Sequence, residues 1–456
     1  MRVIIRAATT HAPEVARREA EHARKVERIA AQLRGRTGGG HVSVRKRAVA
    51  HQVPKPGDLR RKDEKVDLTD LDRIISIDPA ARVCVAEPGV TYVDLVRATL
   101  KHGLVPMCVP EFKTITIGGA VSGCSIESMS FRFGGMHDTC LEYEVVTGRG
   151  EVLTCRPDGD DALVFHMMHG SFGTLGLLTK LTFRLVPAGR FVRMRYEKYS
   201  TLADYQAAIQ RRFVAQDVDF MDGIIHAPDE YVLSLGEFVD EAPYVTRYDW
   251  LRVYYLSTRE RTEDYLETFD YLFRYDRGVT NPRPRTLLGR LLFGKLLGST
   301  AWLWAAERLH FLLPHLRPTF HLDVFLPSSR VPEFMAWYER EFGFFPLWCV
   351  PYRVARRYEW IADRVFDGVD DELYLDLAIY GMRPRDGRDY HRMMEVKLRE
   401  LGGIKTLISH NHYTEDEFWQ TWNRPNYERV KARTDPDDVF RDLYAKTCRA
   451  AMGLPG

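Results

Sequence analysis

The rhythm of apolar and polar positions changes along the chain, and each change predicts an element. Ala16, Ala20, Ala23, Val26, Ile29, Ala30 and Leu33 recur near a helical period among charges, so 11–34 is expected to form an amphipathic helix. RTGGGH at 36–41 ends it, since three adjacent glycines do not hold a helix. A basic, proline-containing stretch then covers 45–65. From Val66 the pattern reads strand, short turn, strand, a Glu87-Pro88-Gly89 turn, and a helix from about Tyr92 to His102. A β-rich passage over 104–187 follows. Within it CLEYEVVTGRGEVLTC is a hairpin around Gly-Arg-Gly, and SFGTLGLLTKLTFRLVP ends it as a long buried strand. Residues 190–400 mix strand and helix periods in an aromatic, arginine-rich text broken at Pro282-Arg283-Pro284, with 286–313 its most apolar helical part. From Lys405 the tail reads as helical, with Phe418, Trp419, Trp422, Phe440, Leu443 and Tyr444 as anchors. These textures imply an α+β chain of three units, 1–189, 190–400 and 401–456, with no internal repeat.

Composition narrows the class. With 45% hydrophobic and 28% charged residues over 456 positions, the chain is expected to be globular and built from two or three domains. A net charge of +2 implies no acidic polymer as partner, and nucleic acid is not expected. Seven scattered cysteines without a CxxC pair point to reduced thiols in a cytoplasmic setting. The N-terminal residues lack the apolar stretch and cleavage site of a secretory signal. The longest run free of acidic and basic residues, 162–179, carries histidines, glycines and hydroxyls and is too polar to span a membrane.

The chemistry concentrates between Val109 and Gly176. Gly118, Gly119 and Gly123, after a Thr/Ile strand, let backbone N–H groups approach a bulky ligand, a nest suited to a pyrophosphate. Thr114, Thr116, Ser122 and Ser125 add hydroxyl donors. Glycine pairs alone fit ordinary turns equally well. No Walker lysine and no GxGxxG occurs, which disfavours a P-loop or a Rossmann dinucleotide site. What raises the signal is order: glycine-rich loop, strand pair, EPGV turn with helix, GG loop, hairpin, then SFGTLG.

That order resembles the flavin domain of the vanillyl-alcohol oxidase/p-cresol methylhydroxylase superfamily across about 40–187. The match is nearest to its Δ24-sterol reductase branch and to bacterial relatives thought to reduce methylene-branched fatty acyl chains. Glu87-Pro88-Gly89-Val90, Pro110-Glu111 through Thr116-Ile117-Gly118-Gly119, Gly123 with Ile126-Glu127-Ser128, and Gly173-Thr174-Leu175-Gly176 carry it. DVFLP, FPLWCVP, ELYLDLAIYG and TEDEFW extend it into a cap domain and the tail.

The resemblance implies FAD as cofactor, with NADPH or NADH as electron donor. Its binding residues are expected to be His41, Pro110, Glu111, Thr114, Thr116, Ile117, Gly118, Gly119, Ser122, Gly123, Ile126, Gly173, Thr174, Gly176 and Leu177. Attachment is expected to be noncovalent: Phe112 stands where a berberine-bridge enzyme has its cysteine, Ile126-Glu127-Ser128 offers no histidine, and His41 alone could imitate a histidyl anchor.

Other pairs are ambiguous. His166 and His169 have HxxH spacing but lack further ligands, so no metal is expected. His410 and His412 alternate like strand residues. Tyr374, Asp376, Ala378 and Tyr380 share one face of a strand, which fits flavin or solvent equally. Segment 286–313, rich in leucine, tryptophan and flanking arginines, fits an interfacial helix or a buried cap helix pair.

The implied activity is reduction of an isolated C=C in a membrane lipid, either a methylene-branched acyl chain or a sterol-like side chain. Such an alkene is a poor hydride acceptor, so a general acid is required, and Glu127, Asp376 and His412 are its candidates. The expected location is cytoplasmic, peripheral on the inner face of the membrane. Two alternatives remain: an FAD-dependent oxidase or dehydrogenase of an alcohol or lipid-linked sugar, and a lipid-binding protein without flavin chemistry.

Overall fold

The computed structural model describes residues 3–46, 58–249, 252–276, 320–383 and 386–455, with side chains from residue 12 onward. Segment 286–313 lies outside the described residues.

Helix α1 (Val3–Arg34) places Val26, Ile29, Ala30 and Leu33 on its inner face. They pack on Val42 of β1 (Val42–Arg45), Val66 of β2 (Glu64–Asp67), Leu71, Val146 and Leu177. Each such side chain, fully buried, contributes about 1.5–3 kcal/mol, which is why this helix docks while its charged face stays wet. Strands β1 and β2 pair in parallel. Next come β3 (Ile74–Asp78), β4 (Val83–Ala86), α2 (Tyr92–Leu100, N-capped by Thr91) and β5 (Leu104–Pro106).

The 104–187 passage departs from a purely β reading. It contains α3 (Ile117–Ser122), α4 (Ser130–Phe133) and α5 (Ala162–Met167) between β5, β6 (Cys140–Val146), β7 (Val152–Cys155) and β8 (Leu177–Pro187). Glycine pairs mask helix propensity, but Thr116 caps α3, its hydroxyl accepting from Gly119 N at 3.4 Å. The hairpin forms as β6–β7, and the sheet runs β3-β4-β8-β6-β7 with β5 added on β8, every pair antiparallel.

A second, larger sheet is also antiparallel throughout. It contains β9 (Phe191–Tyr199), β10 (Phe220–Ala227), β11 (Glu230–Val239), β12 (Glu263–Glu267), β13 (Phe320–Pro327), β14 (Leu347–Arg353), β15 (Leu373–Met382) and β16 (Ile404–Lys405) in the order β12-β9-β11-β10-β14-β15-β13-β16. Strand β15 is buried on both faces. Leu373, Leu375, Leu377 and Ile379 meet Phe334, Met335 and Tyr338 of one helix (Val331–Glu341) and Met394 and Leu398 of another (Tyr390–Leu401). Tyr374 and Ala378 join the core shared with the first sheet's domain. The stripe containing Asp376 is therefore interior, and the solvent-facing alternative does not hold.

The tail is less helical than its composition suggests. Residues 406–414 are irregular, so His410 and His412 do not lie on a strand; short-range alternation in a turn-rich stretch imitated one. Helical turns occupy Glu415–Phe418 and Arg424–Thr434. The tail then returns to the N-terminal domain through Val42 N to Val439 O at 2.8 Å, Arg441 to Asp63 at 2.7 Å and Arg433 to Glu151 at 2.8 Å.

Candidate active site

A cleft lies between the two sheets. Gly123, Cys124 and Ile126 line it from the loop after α3, and Phe325, Tyr352 and Tyr374 from the large sheet. Lys405 and Trp422 close it from the tail side. Its walls are overwhelmingly apolar and aromatic, the lining of a pocket for a flat ring or a hydrocarbon.

Carboxylic acids gather at one side. Asp376 pairs across the sheet with Phe325, and Asp323 with Ala378, so both acids share the face that carries the cleft-lining Phe325 and Tyr374. Asp376 is buried, and its Oδ1 has no hydrogen-bond partner among the described residues. Burial, with Asp323 and Glu111 nearby, pushes its carboxyl well above the usual range. Asp323 accepts from Tyr380 Oη; burial raises it to about 6 against that hydrogen bond. Glu111, buried before α3, is raised to about 8 by burial and by Glu127 and Asp323. These three acids therefore retain protons at pH where surface carboxylates have lost them.

Glu127 is held differently. Its Oε1 lies 3.2 Å from Arg274 Nη2, and Ser128 N and Oγ donate to Oε2. Arg274 is fully buried, with Tyr271 and Tyr275 rings 4.1 and 4.6 Å from its guanidinium, and it also donates to Asp222 at 3.0 Å. Tyr275 and Trp348 donate to the same Asp222 oxygen at 2.6 and 2.9 Å. Burial raises Glu127, Arg274 opposes it, and Asp222 adds to the rise. This group bridges the α3 loop to the large sheet. His412 stands apart: its backbone N donates to Glu395 at 2.8 Å, its Nδ1 lies 3.2 Å from Asp389, and its ring stacks on His391.

The residues expected to hold the cofactor surround this arrangement unevenly. Pro110, Glu111 and Thr114 lie in the loop leading to α3, and Ser122 O accepts from Phe172 N at 3.3 Å. Gly123 and Ile126 face the cleft. A Cβ on Gly118 would sit 2.5 Å from Pro88 Cβ, so this glycine is required by the Glu87-Pro88-Gly89 turn packing on it. Gly119 is exposed, and its Cβ position meets only Thr116 Oγ1 within 4 Å. Gly38, Gly39 and Gly40 likewise face open space. Ile117 and Leu177 are buried, Thr174 donates to Ser171 O, and a Cβ on Gly176 would strike Val145, so their side-chain positions serve packing. Gly173, at φ +69°, lies against Lys446 Nζ. His41 lies 3.4 Å from Asp438. His166 and His169 have structural partners, Arg356 at 2.9 Å and Tyr143 at 3.1 Å. All seven cysteines are free.

Sequence reading missed Arg274, Asp222, Asp323, Lys405 and Lys446. Asp323 carried a usable signal, a lone acid in the apolar alternation FHLDVFLP, the same signal that singled out Asp376.

Exposed glycine backbone at 38–40 and 119, together with an aromatic cleft, fits a long cofactor with a flat ring, and residues 20–156 match the FAD binding domain family. The chain thus carries the FAD-binding domain of the p-cresol methylhydroxylase superfamily and is an FAD-dependent oxidoreductase. It is 25% identical to the Delta(24)-sterol reductase of Homo sapiens over 86% of this chain and 79% of that one. To the Delta(24)-sterol reductase homologue of Caenorhabditis elegans it is 25% identical over 94% and 88%. Cytokinin dehydrogenase 6 of Oryza sativa subsp. japonica is 26% identical over 76% and 70%.

Proposed function

We propose that this protein reduces an isolated C=C of a membrane lipid, a methylene-branched acyl chain or a sterol-like side chain, with NADPH or NADH as electron donor. The observation that carries this reading is the pairing of an apolar cleft with three acids, buried Glu111 and Asp376 and part-buried Asp323, that have no ion-pair partner among the described residues. The similarity to proteins named for reducing a sterol double bond supports the direction of the reaction.

Bound FAD supplies acceptance of hydride from the nicotinamide and its delivery to carbon. The chain's residues do the rest. Phe325, Tyr352 and Tyr374 hold hydrocarbon and exclude water. Asp376 holds a proton beside them and gives it to the less substituted alkene carbon, leaving the tertiary carbon to receive hydride. Asp323, Tyr380 and Glu111 keep that proton in the cluster and restore it from solvent. The balance is one nicotinamide hydride and one solvent proton added across one C=C.

Lys405 also lines the cleft, but its ammonium is bound 2.5 Å from Glu395 and to His410 O, which makes it a fixed wall. Noncovalent FAD is part of the proposal, so acid precipitation should leave flavin in the supernatant. Attachment to the inner face of the membrane is a further part, resting on substrate insolubility and the composition of 286–313. No described helix is long and apolar enough to cross a membrane.

The test is anaerobic. NADPH should bleach the flavin, and a methylene-branched or Δ24 lipid should restore its colour while alcohols and sugars do not. Reduction of the flavin by an alcohol or sugar would contradict the proposal.

A further inference from the structure

The FAD family match ends at residue 156, yet the tail reaches the open glycine loop. Val42 N bonds Val439 O at 2.8 Å and His41 lies 3.4 Å from Asp438, so the residues that follow the glycine loop rest on the tail. The turn Leu59–Lys62 packs on the tail's turn Ala450–Met452, and Asp63 just beyond it binds Arg441 at 2.7 Å. Arg60 of that turn is oriented by Asp58 at 2.6 Å. Seven residues after Val439, Lys446 extends its Nζ to Phe172 O at 2.7 Å, beside Gly173. The tail thus carries Lys446 to the loop around Gly173, and Arg60 of the turn packed on the tail lies within electrostatic range of it.

We propose that Lys446, with Arg60, binds the pyrophosphate of FAD, so that the C-terminal tail completes the cofactor site. Lys431, by contrast, is committed to Asp435 at 2.6 Å and to Phe440 O, and serves to hold the tail in shape. The electrostatics agree. Burial and Arg60 bring the Lys446 amine down to about 7; Asp63 opposes this, while Lys431 and Lys46 add to it. Like charges crowded together at the expense of their own protonation mark a place prepared for an anion. A pyrophosphate would reverse the balance and raise Lys446, so binding takes up a proton. The sign follows: affinity is highest below pH about 7 and weakens above it, by about tenfold per pH unit for one linked proton.

The experiment titrates apoprotein, from riboflavin-limited expression, with FAD and with riboflavin, following tryptophan fluorescence across this pH range. Wild type should show FAD affinity falling above neutrality. Lys446→Arg, permanently charged, should bind FAD tightly without that fall. Lys446→Met should bind FAD at least about tenfold more weakly at low pH, with riboflavin binding unchanged. Wild-type FAD affinity in Lys446→Met, equal losses for FAD and riboflavin, or an unaltered pH profile in Lys446→Arg would each overturn the assignment. The arginine variant carries the test even if the methionine variant does not fold.

Discussion

Two sets of buried carboxylates divide this molecule by purpose. Around α1, Glu87 takes Lys25 at 2.9 Å and His22 at 2.9 Å, and the other ring nitrogen of His22 meets Glu144 at 2.8 Å. Burial opposes ionisation at Glu144, but His22 and Thr179 outweigh it and hold the carboxyl down to about 2. Arg274 ties Glu127 and Asp222 together between the α3 loop and the large sheet, although burial still raises the Glu127 carboxyl. Glu111, Asp376 and the part-buried Asp323 crowd one another with no ion-pair partner among the described residues, and all three are raised. The first kind of acid joins elements; the second keeps a proton. The difference lies in whether an ion-pair partner stands against the carboxyl.

Removing a cation should break this distinction most severely. Arg274→Met leaves Asp222 and Glu127 buried without their counter-charge and is expected to cost about 3–5 kcal/mol, read as a fall in the urea midpoint. A near-neutral result would show that the bridge is not structural.

The pH dependence of stability should separate the two sets in a single protein. Glu111 and Asp323 bind protons more tightly folded than unfolded, so they stabilise below pH about 4.5 and lose that contribution as pH rises toward their folded values, about 8 and 6. Glu144 does the reverse, losing its contribution as pH falls toward 2. Between pH 5 and 8 the apoprotein should lose about 3–5 kcal/mol, and the double variant Glu111→Gln, Asp323→Asn should flatten that decline.

The glycines sharpen the comparison on a smaller scale. Gly118→Ala should cost about 1–3 kcal/mol because Pro88 cannot move aside cheaply. Gly119→Ala should leave stability unchanged and weaken FAD binding, as judged by the flavin content of purified protein. Smallest of all, Asp376→Asn should alter stability by less than about 1 kcal/mol, since a neutral amide replaces a neutral acid of the same shape.

What the sequence disclosed was local. The Glu87-Pro88-Gly89 turn with α2, the β6–β7 hairpin and long β8 follow from neighbours a few residues apart, and they appear in the structure. Helix α3 was hidden because Gly118 and Gly119 argue against helix, while its cap and its packing on Pro88 decide otherwise. The charged groups were illegible for a different reason. Arg274 meets Asp222 across 52 positions and Lys446 meets Phe172 across 274, distances at which no periodicity reports. Asp376 was legible as an acid in an apolar strand, but which face it served depended on the docking of a domain.

In the proposed reaction Asp376 carries the proton added to the alkene. The direct measurement is anaerobic stopped-flow absorbance of wild type and Asp376→Asn, with each half-reaction observed separately. Reduction by NADPH should proceed at equal rates in both proteins. Reoxidation by the methylene-branched lipid should be slower in the variant by about 10²–10⁴-fold. Reoxidation of Asp376→Asn at the wild-type rate would contradict the account.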